Sequence, residues 1–242
     1  VESDGTVKHA GEFINAEPGS FPNFDFVRAL KDQLGSDSGT IFRYSHHENT
    51  FLNLILEQLR SEATAVSDKD ELIEFIKSIA KPAAKSEEQW SPDREMLDLL
   101  ELVKKYYFDP ATKGSNSIKH ILPSVLRWSK FLQRKYSKPV YGSPNGIPSK
   151  NFQSWCWFQT TSEGLEKDPY DLLPKLFPGE ISVDKRLLTN EVELKNGGAA
   201  LMAYAKMQFE DMSDYERGTL ENALLKYCEL DTLAMVMIYE AW

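Results

Sequence analysis

Cysteine is scarce in this chain, with only Cys156 and Cys228 among 242 residues. The two lie far apart and belong to no Cys-x-x-Cys pair, which argues against a structural zinc site and against a disulfide framework. The sequence therefore predicts two reduced, mostly buried thiols in a cytoplasmic protein.

The sequence also lacks a long apolar run and an excess of basic residues. A membrane-spanning helix needs about 20 predominantly apolar residues, and no stretch here reaches that length. The 28 Lys and Arg residues are outnumbered by 37 Asp and Glu residues, which gives a net charge of −9. This balance argues against tight nonspecific coating of nucleic acid or of an anionic membrane, while leaving room for a local basic groove. It suits an enzyme that gathers carboxylates around metal ions.

The chain does carry alternating strand and helix patterns. Residues 6–14 and 39–45 have the composition of strands, and an amphipathic helical pattern follows each of them. More helical patterns follow, and the last of them opens with a capping box formed by Ser213 and Glu216. Pro123 predicts a break or a kink in the helix that contains it. This order of elements predicts an α/β fold rather than an all-α fold.

Two irregular regions shape the predicted domain. Asp4-Gly5 is a hairpin signal, yet too few residues precede it to form a partner strand, so we expect the natural protein to continue upstream. Pro, Gly, Ser and aromatic residues dominate from about residue 137 to residue 180, which predicts a long irregular insert. We therefore predict one domain over residues 1–242, with this insert and with the first strand or strands missing.

Three acidic residues stand out by position. Glu48 lies where a predicted strand turns into a helix, and ligands bind at the carboxyl ends of strands in open α/β sheets. Asp98 lies at the predicted start of a helix, and Asp231 follows Tyr227 by one helical turn. Each has an ordinary structural alternative: a helix-dipole partner for Glu48, an N-cap for Asp98, and for Asp231 either an ion pair with a core arginine or exposure to water.

Three stretches carry a resemblance to known families. "YCELDTLAMV" resembles the third motif of the DEDD 3′–5′ exonucleases, in the subclass that uses a tyrosine, and "GTIFRYSHHENTFLNLI" resembles their second motif. Together with "DLLELVKKYYFDPATKGSNSIKHILPSVL", they resemble an uncharacterised bacterial family known as domain of unknown function 2779. The resemblance covers nearly the whole chain. It implies a ribonuclease H-like, exonuclease-type fold with a mixed sheet flanked by helices.

The resemblance also implies an activity, namely hydrolysis of nucleic-acid phosphodiesters with two Mg²⁺ or Mn²⁺ ions. Glu48, Asp98 and Asp231 would be the metal ligands, since these hard cations prefer carboxylate oxygens. Tyr227 would orient the attacking water. Tyr227, Asp231 and Glu48 would thus form the catalytic set.

The chain departs from the motif pattern in two places. The second motif usually carries Asp, where this chain has Glu48, and the Asp-x-Glu pair of the first motif is absent from residues 1–15. We therefore expect this chain alone to hold metal poorly and to be inactive. The alternative is a nuclease-fold module that has lost catalysis and binds nucleic acid or a protein partner.

Two further stretches are candidates for contact with nucleic acid. Ser115, Ser117 and Lys119 lie at a helix entry, where backbone N–H groups bind phosphate, so we predict contact there with a single strand or a 3′ end. The alternative is a capped helix with a solvent-facing lysine. The aromatic stretch at residues 155–158 is either a base-stacking surface or a small core under a loop.

Overall fold

The computed structural model of the chain describes residues 1–61, 65–174 and 197–242. The described residues form a helix-rich α/β structure with one small parallel sheet. They divide into two compact units. We call Phe21–Phe108 the α1–α4 unit, and we call Val1–Ser20 together with Asp109–Trp242 the α5–α8 unit. The single domain expected over residues 1–242 stays a prediction.

The α1–α4 unit is built around two helices whose apolar residues recur at helical spacing. Its elements are α1 (Asn23–Leu34), β1 (Phe42–Arg43), α2 (His47–Arg60), α3 (Lys69–Ile79), β2 (Leu97–Asp98) and α4 (Leu99–Tyr106). Because the buried residues of α2 and α3 lie three or four positions apart, each helix presents one apolar face to the core. That core contains Val27, Ile41, Leu52, Ile55, Leu56, Leu59, Leu72, Ile76, Ile79, Ala80 and Met96.

The sheet of this unit places two helix starts side by side. β1 and β2 pair in parallel, with Phe42 opposite Leu97 and Arg43 opposite Asp98. The carboxyl ends of parallel strands meet at one edge of a sheet, and α2 and α4 begin just beyond that edge. The predicted position of Asp98 at a helix start is therefore confirmed.

The α5–α8 unit is organised by its last helix. Its elements are a 3₁₀ turn (Pro110–Thr112), α5 (Ile118–Trp128), α6 (Lys130–Tyr136), a second 3₁₀ turn (Pro169–Leu172), α7 (Gly197–Phe209) and α8 (Asp214–Ala241). α8 packs against α5, α6 and α7. The predicted capping box is confirmed, since Ser213 Oγ accepts from the Glu216 N–H and the Glu216 carboxylate accepts from the Ser213 N–H.

Three local expectations were wrong. α5 is not broken at Pro123 and ends at Trp128, because one missing N–H donor is tolerated in a helix whose apolar face is buried, while the alternative of a kink stays a prediction. Residues 6–14, all of them described, form no strand, and the His9 N–H donates to the Pro148 carbonyl of a loop instead. Both cysteines are free as expected, yet Cys228 is exposed rather than buried.

The described part of the predicted insert has little regular structure. Residues 137–174 contain isolated bridges, such as that between Tyr141 and Trp155, and a single 3₁₀ turn. Trp157 is fully buried and packs edge-on against Tyr141 and Phe152. The aromatic stretch therefore forms a small core under the loop. Residues 175–180 of the predicted insert lie outside the described residues.

No helix in the described part of the chain combines the length and the apolarity that a membrane crossing requires.

Candidate functional site

Asp98 connects the ends of the two strands in the α1–α4 unit. Its Oδ1 accepts hydrogen bonds from the Ser45 N–H at 2.9 Å and from the Leu100 N–H at 3.0 Å. Its Oδ2 lies 2.7 Å from Arg43 Nη1, in an ion pair whose side chains are only 14% and 12% exposed. Asp98 is thus the N-cap of α4, which is the structural alternative given above to a role as metal ligand. It is also the partner of a largely buried arginine. A metal ion at Asp98 would compete with three donors.

The turn between β1 and α2 is strained and is held from both sides. Ser45 has a φ of 81°, in the left-handed region that non-glycine residues rarely adopt. Asp98 binds its N–H, and Arg43 donates to its carbonyl. Glu48 follows in the exposed first turn of α2. Partial burial of its carboxyl group raises the pKa of Glu48, and the positive charge of Arg43 opposes this shift.

In the α5–α8 unit, Tyr227 and Asp231 lie one turn apart on one side of α8. The Tyr170 hydroxyl, from the 3₁₀ turn of the insert, donates to Asp231 Oδ1 at 2.6 Å. Lys119 Nζ, from the first turn of α5, donates to Tyr227 Oη at 2.9 Å. Asp231 therefore faces two phenols and one ammonium group.

The charges of this cluster compensate each other. Lys119 Nζ lies 4.0 Å from the ring centroid of Tyr170 and 4.6 Å from that of Tyr227. Burial raises the pKa of Asp231, while the Tyr170 hydrogen bond and the charge of Lys119 act in the opposite direction. Burial lowers the pKa of Lys119, against the effect of Asp231 and Asp168. The Lys119 ammonium group thus lies beside two aromatic faces and near two carboxylates, those of Asp231 and Asp168.

The predicted phosphate contact at the start of α5 has a different geometry from that expected. Ser117 is the N-cap residue of α5, and its N–H donates to Ser115 Oγ at 3.3 Å. Lys119 is half-buried and points at the tyrosine rings, so the alternative of a solvent-facing lysine is wrong. Contact of these three residues with nucleic acid stays a prediction.

Glu229, which was not among the residues predicted from the sequence, is only 7% exposed. Its Oε1 accepts from Tyr141 Oη at 2.6 Å and from Ser149 Oγ at 2.5 Å, and its Oε2 accepts from Asn151 Nδ2 at 2.9 Å. His9 Nδ1 lies 3.1 Å from Oε1. Burial alone would raise the pKa of Glu229, but these hydrogen bonds together lower it to about 2. Glu229 thereby ties the N-terminal segment and the insert to α8.

A signal for Glu229 was present in the sequence. Glu229 lies four residues before Leu233, on a side of α8 that is buried in the unit. A carboxylate in such a position is costly unless donors surround it. Asp231 is two positions further along, so the helical rotation turns it roughly 200° away from Glu229. The two carboxylates therefore face separate networks.

The pair formed by His9 and Glu229 should stabilise the α5–α8 unit most between about pH 4.5 and 6.5. The Glu229 hydrogen bond raises the pKa of His9 above 6.5, so this stabilisation is complete below that pH and is lost as the pH rises through the raised value. The pKa of Glu229 is lowered from 4.5 to about 2, so stabilisation is complete above 4.5 and is lost on acidification towards 2. Urea unfolding measured from below pH 4.5 to above pH 6.5 should show both losses. In His9→Gln, the loss of stability with rising pH should disappear. If this loss were unchanged in the variant, His9 would not be its source.

A known protein family matches the N-terminal part of the chain. Residues 1–117 match the family model Domain of unknown function (DUF2779). The match includes Glu48, Asp98 and the two serines before α5, and it ends before Lys119. The predicted resemblance to this family is thus confirmed over residues 1–117. No curated protein matches the chain, and no solved structure matches it either.

A two-metal site requires several carboxylates close together. Such a site holds two ions about 4 Å apart on shared carboxylates. Within residues 1–61, 65–174 and 197–242, no three His, Cys, Asp or Glu side chains gather as a metal centre requires. At Asp231 the positive charge comes from Lys119, and one carboxylate oxygen accepts from Tyr170. The described residues therefore do not fit two metal ions by themselves.

Proposed function

We propose that the chain carries the second-motif and third-motif parts of a ribonuclease H-like 3′–5′ exonuclease. The observation that carries this proposal is the pair on α8, where the phenol of Tyr227 and the carboxylate of Asp231 lie one turn apart in one cluster with Lys119 and Tyr170. The proposal extends to a cytoplasmic bacterial protein that acts on a single strand or a 3′ end. The carboxylates that would complete a metal site must then come from residues beyond the described set.

The second-motif part is supported by the edge of the sheet. Glu48 follows β1 at the carboxyl end of a parallel strand pair, and this is where open α/β sheets bind ligands. The Asp98 and Arg43 contacts hold the turn that leads to it. The family match over residues 1–117 covers this whole region.

The contacts of Tyr227 define what its hydroxyl can do. A phenol oxygen has one proton to donate and two lone pairs that accept. Among the described residues, Lys119 donates to this oxygen and occupies one lone pair. The role proposed for Tyr227 is to orient a water molecule with the hydrogen-bonding capacity that remains. Mg²⁺ or Mn²⁺, when bound, would supply the charge that activates the water and stabilises the leaving oxygen.

A second function is favoured by a different observation. Asp231 accepts a hydrogen bond from Tyr170, and the positive charge of Lys119 favours its ionised form, so the cluster has a counter-charge without a metal ion. This arrangement supports a module that keeps the nuclease-type fold but binds nucleic acid or a protein partner without catalysis. The two functions differ in whether phosphodiesters are cleaved.

The deciding experiment uses the natural full-length protein that contains this chain. We expect it to shorten 5′-labelled single-stranded DNA or RNA stepwise from the 3′ end in Mn²⁺, and to lose this activity in Asp231→Asn. Glu221→Gln, on the same helix, is the matched control and should retain it. Absence of cleavage, or cleavage that Asp231→Asn leaves intact, would contradict the exonuclease proposal. Retained binding to the same strands would then favour the noncatalytic module.

A further inference from the structure

The end of α5 and the whole of α6 form a strongly basic stretch in an acidic chain. Residues 127–138 contain five basic residues and no acidic one, whereas the chain as a whole has a net charge of −9. The five are Arg127, Lys130, Arg134, Lys135 and Lys138. A local excess of positive charge of this kind attracts anions.

α6 turns part of this stretch towards solvent. Leu132 and Tyr136 are fully buried one turn apart, so they mark the inner side of the helix. Lys130, Phe131 and Arg134 point away from that side, and all three are exposed. We call these three residues the outer face of α6. It combines two positive charges with one aromatic ring.

The nearby carboxylates pair with other members of the stretch. Among the described residues, Glu166 Oε2 lies 3.8 Å from Arg127 Nε, and Glu240 Oε1 lies 2.5 Å from Lys135 Nζ. Glu240 also accepts from the Tyr136 hydroxyl at 2.8 Å, so this ion pair holds α6 to α8. Neither ion pair involves a residue of the outer face.

The two charges of the outer face do not serve the fold. Lys130 and Arg134 lie four positions apart, and like charges at this spacing on a helix repel each other. Lys130 Nζ donates at 2.9 Å to a neutral group, Gln133 Oε1. A phosphate group close to both cations would relieve their repulsion.

Two exposed aromatic rings lie next to these charges. Phe131 keeps 49% of its surface exposed, and Trp128, at the end of α5, keeps 46%. The bases of a single strand stack on such rings while basic side chains contact the backbone. In a duplex the bases already stack on one another, so rings among positive charges favour a single strand.

We propose that the outer face of α6, together with Trp128, binds a single strand of nucleic acid. Phe131 and Trp128 stack on bases, and Lys130 and Arg134 contact phosphates. This inference rests on the proposed function in assuming a nucleic-acid ligand, and it adds the surface that holds the strand. Its contacts involve no metal ion, so the binding persists in EDTA.

The inference is tested by fluorescence anisotropy of the chain in EDTA, with labelled oligothymidine, oligouridine and duplex DNA as probes. Lys130→Gln combined with Arg134→Gln should weaken single-strand binding at least tenfold. It should also reduce the salt dependence of log K by about 1.4, because each phosphate contact to a single strand contributes about 0.7. Phe131→Ala should weaken single-strand binding at least fivefold but duplex binding less than twofold, because unpaired bases stack on the ring.

Two controls remove the same kinds of group elsewhere. Lys85→Gln combined with Lys150→Gln removes two exposed positive charges, and Phe209→Ala removes a phenylalanine that is 88% exposed. Each should change single-strand affinity by less than twofold. Circular dichroism reports whether each variant is folded, and Phe131→Leu, which also lacks the ring, replaces the alanine variant if that one is not.

Absence of binding to both single-stranded probes would overturn the proposal, and so would an affinity of either outer-face variant within twofold of the unchanged chain. Binding to phosphatidylserine vesicles but to neither oligonucleotide would also overturn it and would assign this face to an anionic membrane surface. The nuclease assay is independent of this result. Cleavage without the loss of binding in the variants refutes only the strand-binding face, and the loss without cleavage refutes only the exonuclease.

Discussion

Glu229→Ala should destabilise the α5–α8 unit by about 3–5 kcal/mol, the range typical of breaking a buried, hydrogen-bonded charge network. The change removes the acceptor of Tyr141, Ser149 and Asn151 and leaves the His9 imidazolium without its carboxylate. Each buried donor that loses its partner costs desolvation free energy that the folded state no longer recovers. The segments that carry these donors should detach from α8 first.

Hydrogen exchange combined with urea unfolding measures this effect. The amide groups around Tyr141 and Asn151 should exchange faster, and the free energy of unfolding of the unit should fall. Glu229→Gln keeps the shape and one acceptor oxygen, so it should cost less than the alanine change. Glu221→Ala, on the same helix, controls for helix propensity and should stay within about 0.5 kcal/mol. A loss below about 1 kcal/mol for Glu229→Ala would mean that the network contributes little.

The helices could be predicted because their signals are local. Apolar spacing predicted α2, and Ser213 with Glu216 predicted the start of α8 from four adjacent positions. The strand at β1 was predicted too long, since only Phe42–Arg43 finds a partner. Strand pairing depends on the neighbouring strand, and the residue spacing within one strand does not show which strand that is.

The candidate site could be predicted only in part, for the same physical reason. The pairing of Tyr227 with Asp231 follows from a spacing of four on one helix. Tyr170 lies 61 positions before Asp231, in an insert without periodicity, so nothing local connects the two. The strand expected at residues 6–14 failed in the same way, because His9 finds its partners in Glu229 and in the Pro148 carbonyl of a loop.

Asp98→Ala should destabilise the α1–α4 unit by about 3 kcal/mol, whereas Glu48→Gln should stay within about 0.5 kcal/mol. The alanine change leaves the Ser45 and Leu100 N–H groups without their acceptor and a largely buried Arg43 without its counter-charge. The left-handed conformation of Ser45 would then lose one of the two contacts that hold it. Glu48 lies in the exposed first turn of α2, and its surroundings already disfavour its charged form, so removing the charge should cost little stability.

The same pair of variants separates a positioning role for Asp98 from a ligand role. A carboxylate kept for a metal ion is a source of repulsion in the metal-free protein, so removing it should leave stability unchanged or raise it. A carboxylate that caps α4 and holds Arg43 should cost stability whether or not a metal ion is present. Urea unfolding in EDTA and in Mn²⁺ distinguishes the two. If Asp98→Ala lowers the free energy of unfolding by less than about 1 kcal/mol in EDTA, Asp98 is a carboxylate open to metal. The larger loss that we expect would show that Asp98 holds the turn that leads to Glu48.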